Sequence, residues 1–180
     1  MRQAVFFDRD GTLIEERGYC ANPSAVRLYE GVPQALRALK DAGFLNIIVS
    51  NQSGIGRGYF TEGEYRAVQR ELLRQIGEEL IDASYFCPDA PGVLSVCRKP
   101  EPGMLLEAAR DFGIDLARSA MVGDKASDIE CARRAGACAV LVETGYGASQ
   151  TCRADFRTSG LVGAAEWVAR RLGPRPAVSM

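Results

Sequence analysis

Short apolar runs alternate with amphipathic helical stretches along this chain, and polar residues close several of the runs. Ala4–Phe7 reads as a buried strand, and Leu45–Val49, a run ending at Tyr85-Phe86, Ala120–Val122 and Cys138–Val142 read as further strands. Between them, Pro33–Ala42, Pro102–Arg110, Ser127–Ala135 and Leu161–Leu172 read as helices, the first three followed by a glycine at or near the stop. Thr61 and Glu64 form a capping-box pattern ahead of a helix whose apolar stripe is Tyr65, Val68, Leu72, Ile76 and Leu80. Strand-helix alternation of this kind predicts an α/β fold: a Rossmann-like three-layer α/β/α sandwich with a mainly parallel sheet. In such sheets ligands bind beyond the carboxyl ends of the strands. Asp8, Ser50, Asn51 and Asp124 fall there.

The 180 residues are enough for one domain with a substantial core. No internal repeat is visible, so residues 1–172 are expected to form a single domain and 173–180, with two prolines, a loose tail. Lys plus Arg number 22 and Asp plus Glu 23, with no polybasic run, which argues against a nucleic-acid partner. No apolar stretch is long enough to cross a membrane, and the N-terminus shows no signal-peptide pattern, so a cytoplasmic protein is expected.

The chain has no histidine. That removes Ser-His-Asp and Cys-His catalysis and leaves acid–base work to carboxylates, Lys, Cys or Tyr. None of the six cysteines forms a Cys-x-x-Cys pair, and none has an arginine six residues later, so a cysteine-phosphatase loop is excluded as well.

Four clusters carry candidate chemistry. In Asp8-Arg9-Asp10-Gly11-Thr12, two carboxylates follow a buried strand. Two unit charges about 4 Å apart repel by about 4 kcal/mol at an effective dielectric of about 20, a conflict that a cation or a protonated carboxyl relieves. A capped turn is the plain alternative. Ser50 to Gly58 is rich in small residues and donors, which suits a phosphate or simply a flexible loop. Arg98-Lys99 before Pro100 offers a fixed positive pair, or a solvated basic turn. In Gly123-Asp124-Lys125-Ala126-Ser127-Asp128, Asp124 suits a hard cation such as Mg²⁺, while Asp128 suits either the ion or the helix N-terminus.

In this order the segments DRDGT, SNQSG, RKPEPGM and GDKASD resemble the four motifs of the haloacid dehalogenase superfamily of phosphatases, over roughly residues 4–145. The wording of SNQSGIGRGYF and CRKPEPGM is similar to a capless branch that holds heptose-bisphosphate phosphatases and histidinol-phosphatases, the former being the nearer match. The resemblance implies a haloacid dehalogenase-like fold without a large cap domain and a Mg²⁺-dependent phosphatase acting on a small phosphorylated sugar, the C7 phosphate of a heptose bisphosphate. It implies Asp8 as nucleophile, Asp10 as general acid and base, and Ser50 and Lys99 as stabilisers of the transferring phosphoryl group. Asp8, Asp10 and Asp124 would hold Mg²⁺. Glu16, Arg17, Gly18, Tyr19, Asn51, Gln52, Ser53, Arg98 and Lys125 would bind substrate. A monomer is expected. Histidinol phosphate or a broader set of small metabolites is the alternative substrate, a 3′-phosphorylated DNA end is disfavoured by the near-neutral charge, and a silent phosphate-binding protein is the non-enzyme alternative.

The chain departs from the pattern at one place. Related heptose phosphatases carry a zinc loop, Cys-x-His then Cys-x-Cys; here it reads Cys87-Pro88-Asp89, then Ser95-Val96-Cys97. Cys87 and Cys97 alone are good ligands, Asp89 and Ser95 being weaker, so zinc is not expected. A Cys87–Cys97 disulfide is also disfavoured in a reducing compartment.

Overall fold

The computed structural model describes residues 1–173; the rest of the expected tail, 174–180, lies outside the described residues. Six strands form one parallel sheet: β1 (Ala4–Phe7), β2 (Leu45–Asn51), β3 (Ala83–Cys87), β4 (Ala120–Gly123), β5 (Cys138–Val142) and β6 (Phe156–Thr158), in the order β3-β2-β1-β4-β5-β6. Alternate side chains leave a strand on opposite faces, and the core divides accordingly. Val5, Phe7, Ile48, Val122 and Val140 pack with helices α1 (Val32–Asp41), α3 (Glu62–Ile76) and α6 (Leu161–Leu172). Ala4, Phe6, Ile47, Met121 and Leu141 pack on the other face with α4 (Gly103–Phe112) and α5 (Ala126–Ala135). This is the three-layer arrangement expected from the alternation, and the reversal of strand order between β1 and β4 opens a crevice at their carboxyl ends.

Local signals act as expected at most element ends. Thr61 Oγ1 accepts from the Glu64 N–H at 3.2 Å while the Glu64 carboxylate accepts from the Thr61 N–H at 2.7 Å, closing the capping box. The helical stripe stops earlier than its spacing suggests: α3 ends at Ile76, and Leu80 reaches the core from a separate 3-10 turn, Glu78–Leu80. One α-helix and one strand have no counterpart in the sequence reading. Ser53–Gly56 forms a short helix, α2, inside the glycine-rich segment. β6 is only three residues long; its one large apolar side chain, Phe156, stacks on Trp167 with ring centroids 5.2 Å apart, which gives that tryptophan its packing role. Among the described residues no helix is long and apolar enough to cross a membrane.

Candidate active site

The carboxyl ends of β1, β2 and β4 bring the four clusters together. The Asp8 N–H still bonds to the Val122 carbonyl at 2.9 Å, so Asp8 is held by the sheet itself. The chain then turns sharply at Gly11, whose φ is +89°. A Cβ there would collide with the Asp124 carboxylate, so only glycine lets the first loop close over β4.

Lys99 comes from a distant segment and is fully enclosed. Its Nζ lies 2.8 Å from Asp8 Oδ1 and 2.6 Å from Asp128 Oδ1, and donates to the Val49 carbonyl at 2.9 Å. Burial alone would lower its pKa, but Asp128 and Asp8 together hold it above the ordinary lysine value. Asp128 therefore belongs to the site: besides closing the start of α5 through the Lys125 N–H at 3.0 Å, it shares the buried ammonium with Asp8. The sequence left it between cap and ligand, and no local signal reveals a partner 29 positions away in Lys99.

Asp8, Asp124 and Asp128 offer oxygens that lie within 4.8 Å of one another. Three buried carboxylates thus face one buried ammonium. Asp124 shows the strain of that excess: burial, with Asp8 nearby, pushes its pKa up to about 7. Its Oδ2 accepts from the Tyr146 N–H at 2.9 Å, while its buried Oδ1 has no partner. An unpartnered buried carboxylate oxygen beside a second carboxylate is the donor set of a hard divalent cation, so the residues fit Mg²⁺ at Asp8 and Asp124.

Asp10 is fixed from behind. Arg9, fully buried, donates to both its oxygens at 2.9 and 3.2 Å and to Gln52 Oε1 at 3.2 Å, and its guanidinium lies 5.2 Å from the Tyr65 ring centre. Gln52 Nε2 in turn donates to Asp10 Oδ2 at 2.9 Å and to Ser50 Oγ at 2.7 Å. Arg9 had no role in the sequence reading, because a charged residue between two carboxylates looks the same whether it points to solvent or to the core.

In front of these groups lies a cavity of about 410 Å³ that Glu16, Gly18, Tyr19, Asn51, Gln52, Ser53, Arg98 and Lys125 line together with Asp10 and Lys99. Of the expected substrate residues Arg17 alone is absent from this lining; it pairs with Glu15 at the surface. Asn51 reaches the cavity, but its amide also clamps the Lys99 backbone, donating to its carbonyl at 3.0 Å and accepting from its N–H at 2.9 Å. Glu16 links loop and helix, accepting from the Gly18 N–H at 2.7 Å and lying 3.0 Å from Lys125 Nζ. The Arg98 guanidinium donates to the Asp89 carbonyl at 3.0 Å; burial and the neighbouring Arg57 charge lower its pKa.

Beside the cavity, Cys87 and Cys97 are joined as a disulfide, with Cα atoms 5.6 Å apart. This corrects the expectation of free thiols: β3 and the Arg98 segment run so close that the two sulfurs meet. Asp89 Oδ2 is 3.6 Å from each sulfur and Ser95 Oγ is 3.4 and 3.3 Å away. Cys87, Asp89 and Cys97 bring ligand atoms within 4.8 Å of one another, but while the sulfurs are joined they cannot act as two thiolates, and Ser95 is a poor fourth ligand for zinc.

A family model described as "HAD-hyrolase-like" matches residues 96–166, which takes in Lys99 and Asp124. A curated D-glycero-D-manno-heptose-1,7-bisphosphate 7-phosphatase of Thermosynechococcus vestitus is 41% identical, over 97% of this chain and 99% of its own. The chain belongs to the haloacid dehalogenase superfamily of phosphatases. A second superfamily member, the D-glycero-beta-D-manno-heptose-1,7-bisphosphate 7-phosphatase of Haemophilus ducreyi, is 41% identical over 80% of this chain and 85% of its own. The crystal structure of D,D-heptose 1,7-bisphosphate phosphatase from B. bronchiseptica, complexed with magnesium and phosphate, superposes with a TM-score of 0.85 at 30% identity, covering 93% of this chain and 98% of that one. The near-full-length relatives extend the superfamily assignment to the amino-terminal part that carries Asp8, Asp10 and Ser50, outside the family-model match.

Proposed function

We propose that this chain is a Mg²⁺-dependent phosphatase that removes the C7 phosphate of D-glycero-D-manno-heptose 1,7-bisphosphate through an aspartyl-phosphate on Asp8. The observation that carries the reading is the Asp8 carboxylate 2.8 Å from the buried Lys99 ammonium and beside Asp124, behind a polar cavity that Lys99 and Asp10 line. Such a carboxylate is held in place by the sheet and has its charge screened by an ammonium, as an attack on a phosphate requires.

Asp8, Asp124 and the backbone carbonyl of Asp10 would hold the cation, which when bound would supply positive charge against the phosphate oxygens. The Asp8 carboxylate forms a bond to phosphorus as the bond to the sugar oxygen breaks. Asp10 gives that oxygen its proton, so the sugar leaves as an alcohol. Asp10 then takes a proton from the water that attacks the phosphorus, which frees Asp8 and releases phosphate. Lys99 and Ser50 face the charge that gathers on the phosphoryl oxygens, and Arg9 and Gln52 keep Asp10 in place. Glu16, Tyr19, Arg98 and Lys125 take the remainder of the substrate; two cations suit its second phosphate and its hydroxyls. All these groups come from one chain, so a monomer built as a single domain matches the reading; a cytoplasmic setting in nucleotide-activated heptose synthesis is the remaining part of the proposal.

The test is phosphate release from a panel with Mg²⁺ and then with EDTA: both anomers of the heptose bisphosphate, fructose 1,6-bisphosphate, histidinol phosphate and a 3′-phosphorylated oligonucleotide. Preference for a heptose anomer, lost with EDTA and in Asp8→Asn, supports the reading. Full activity of Asp8→Asn would refute the nucleophile, and flat turnover across the panel would refute the substrate.

A further inference from the structure

Two aromatic residues line the cavity, Tyr19 and Tyr146, and Tyr146 has no part in the sequence reading. It sits in the segment Thr144–Gly147 that follows β5, and this segment is anchored at three points. Thr144 Oγ1 donates to the Gly11 carbonyl at 2.6 Å, the Gly145 N–H donates to the Tyr29 hydroxyl at 3.1 Å, and the Tyr146 N–H donates to Asp124 Oδ2 at 2.9 Å. At Gly145 φ is +54°, and a Cβ would strike the Asp124 carboxylate. The segment is thus pressed against the first loop and against Asp124.

Its backbone serves Asp124, and its side chain does something else. The Tyr146 ring lines the cavity, is 48% exposed, and lies with its centre 5.0 Å from Lys125 Nζ. Glu16 Oε2 lies 3.0 Å from the same ammonium. Lys125 is therefore positioned by a carboxylate and a ring face together. Most other lining residues present charges, amides and hydroxyls, which suit the phosphates and hydroxyls of a substrate. A sugar also has C–H surfaces, and an aromatic ring face is the surface that receives them.

We propose that Tyr146 is a specificity-determining residue: its ring packs against the carbon body of the sugar and holds Lys125 toward the sugar's polar groups. The proposal rests on the sugar-phosphatase reading above and adds a contact that reading does not contain. Its backbone φ and ψ, −91° and −4°, are open to any residue, so substitution keeps the N–H that serves Asp124 and removes only the ring.

The experiment compares wild type, Tyr146→Ala and Tyr146→Phe on the heptose bisphosphate and on acetyl phosphate, which carries no sugar, with Mg²⁺ affinity measured by calorimetry. Tyr146→Ala should raise KM for the heptose bisphosphate about five- to tenfold, with kcat within about twofold. That loss should exceed the loss on acetyl phosphate by a similar factor, and Tyr146→Phe should restore most of it. An unchanged KM in Tyr146→Ala would overturn the proposal. So would an equal loss on both substrates with weakened Mg²⁺ binding, which would place the residue's effect at Asp124. If the wild type did not prefer the heptose bisphosphate over acetyl phosphate, the substrate reading would fall and take the ring's assigned partner with it; an unchanged KM leaves that reading standing.

Discussion

Replacing Lys99 with methionine tests the electrostatic frame of the site. The side chain keeps its length and loses its charge, so Asp8 and Asp128 lose a partner at 2.8 and 2.6 Å, and the Val49 carbonyl loses a donor at 2.9 Å. Removing one partner of a buried ion pair costs about 3–5 kcal/mol, since the remaining charge is left without compensation. At about 2–4 °C per kcal/mol for a chain of this size, the melting temperature should fall by about 6–20 °C. The loss should depend on pH. Burial already raises the Asp128 pKa, and Lys99 is the main influence that pulls it back. Without Lys99 the folded-state pKa climbs further above the unfolded value, so stability is lost as pH rises past the unfolded carboxylate range; the deficit should be small near about pH 5 and full near about pH 8. Adding Asp128→Asn removes one stranded charge and should recover at least about 2 kcal/mol, while activity stays lost. The assay is urea unfolding in EDTA of wild type, both single variants and the double variant. A Lys99→Met protein as stable as wild type near about pH 8, or a second substitution that adds to the loss, would refute the argument.

Two further outcomes follow from other parts of the structure. Tyr65 is buried, and that burial pushes its pKa up to about 12. A folded-state value above the unfolded one means stability is complete below about pH 10 and falls between about pH 10 and 12, by about 3 kcal/mol in all. Tyr65→Phe should lack that fall in urea midpoints measured across the window; an identical fall in both proteins would exclude Tyr65 as its source. Peptide mapping of protein purified without reductant should find Cys87 cross-linked to Cys97 and Cys20, Cys131, Cys138 and Cys152 free, with no stoichiometric zinc. One zinc per chain with Cys87 and Cys97 both reduced would contradict that.

The sheet was legible at β1, β2, β4 and β5 because these are apolar runs buried almost throughout, while β3, a partly buried edge strand, was marked only by Tyr85-Phe86 near its end. β6 was not legible, since Phe156 is the one large apolar residue in a strand of three and its burial comes from Trp167. The gathering of the site residues was legible where a motif follows a strand end, at Asp8, Asp10, Ser50 and Asp124, and at Lys99 from its motif alone, since it lies in the segment between β3 and α4. It was illegible where a residue's role depends on a partner far along the chain. Arg9 belongs to the site through Gln52, Asp128 through Lys99, and Tyr146 through Lys125 and Asp124. The Cys87–Cys97 bond was misjudged because compartment chemistry was weighed without the distance between the two segments, 5.6 Å from Cα to Cα.

The most direct test of the central claim is phosphorus NMR of the heptose 1,7-bisphosphate during turnover with Mg²⁺, run with wild type and with Asp8→Asn. The account predicts that the C7 monoester signal gives way to inorganic phosphate, that the C1 phosphate signal persists, and that the Asp8→Asn spectrum does not change. Release of the C1 phosphate, or conversion by Asp8→Asn at the wild-type rate, would contradict it.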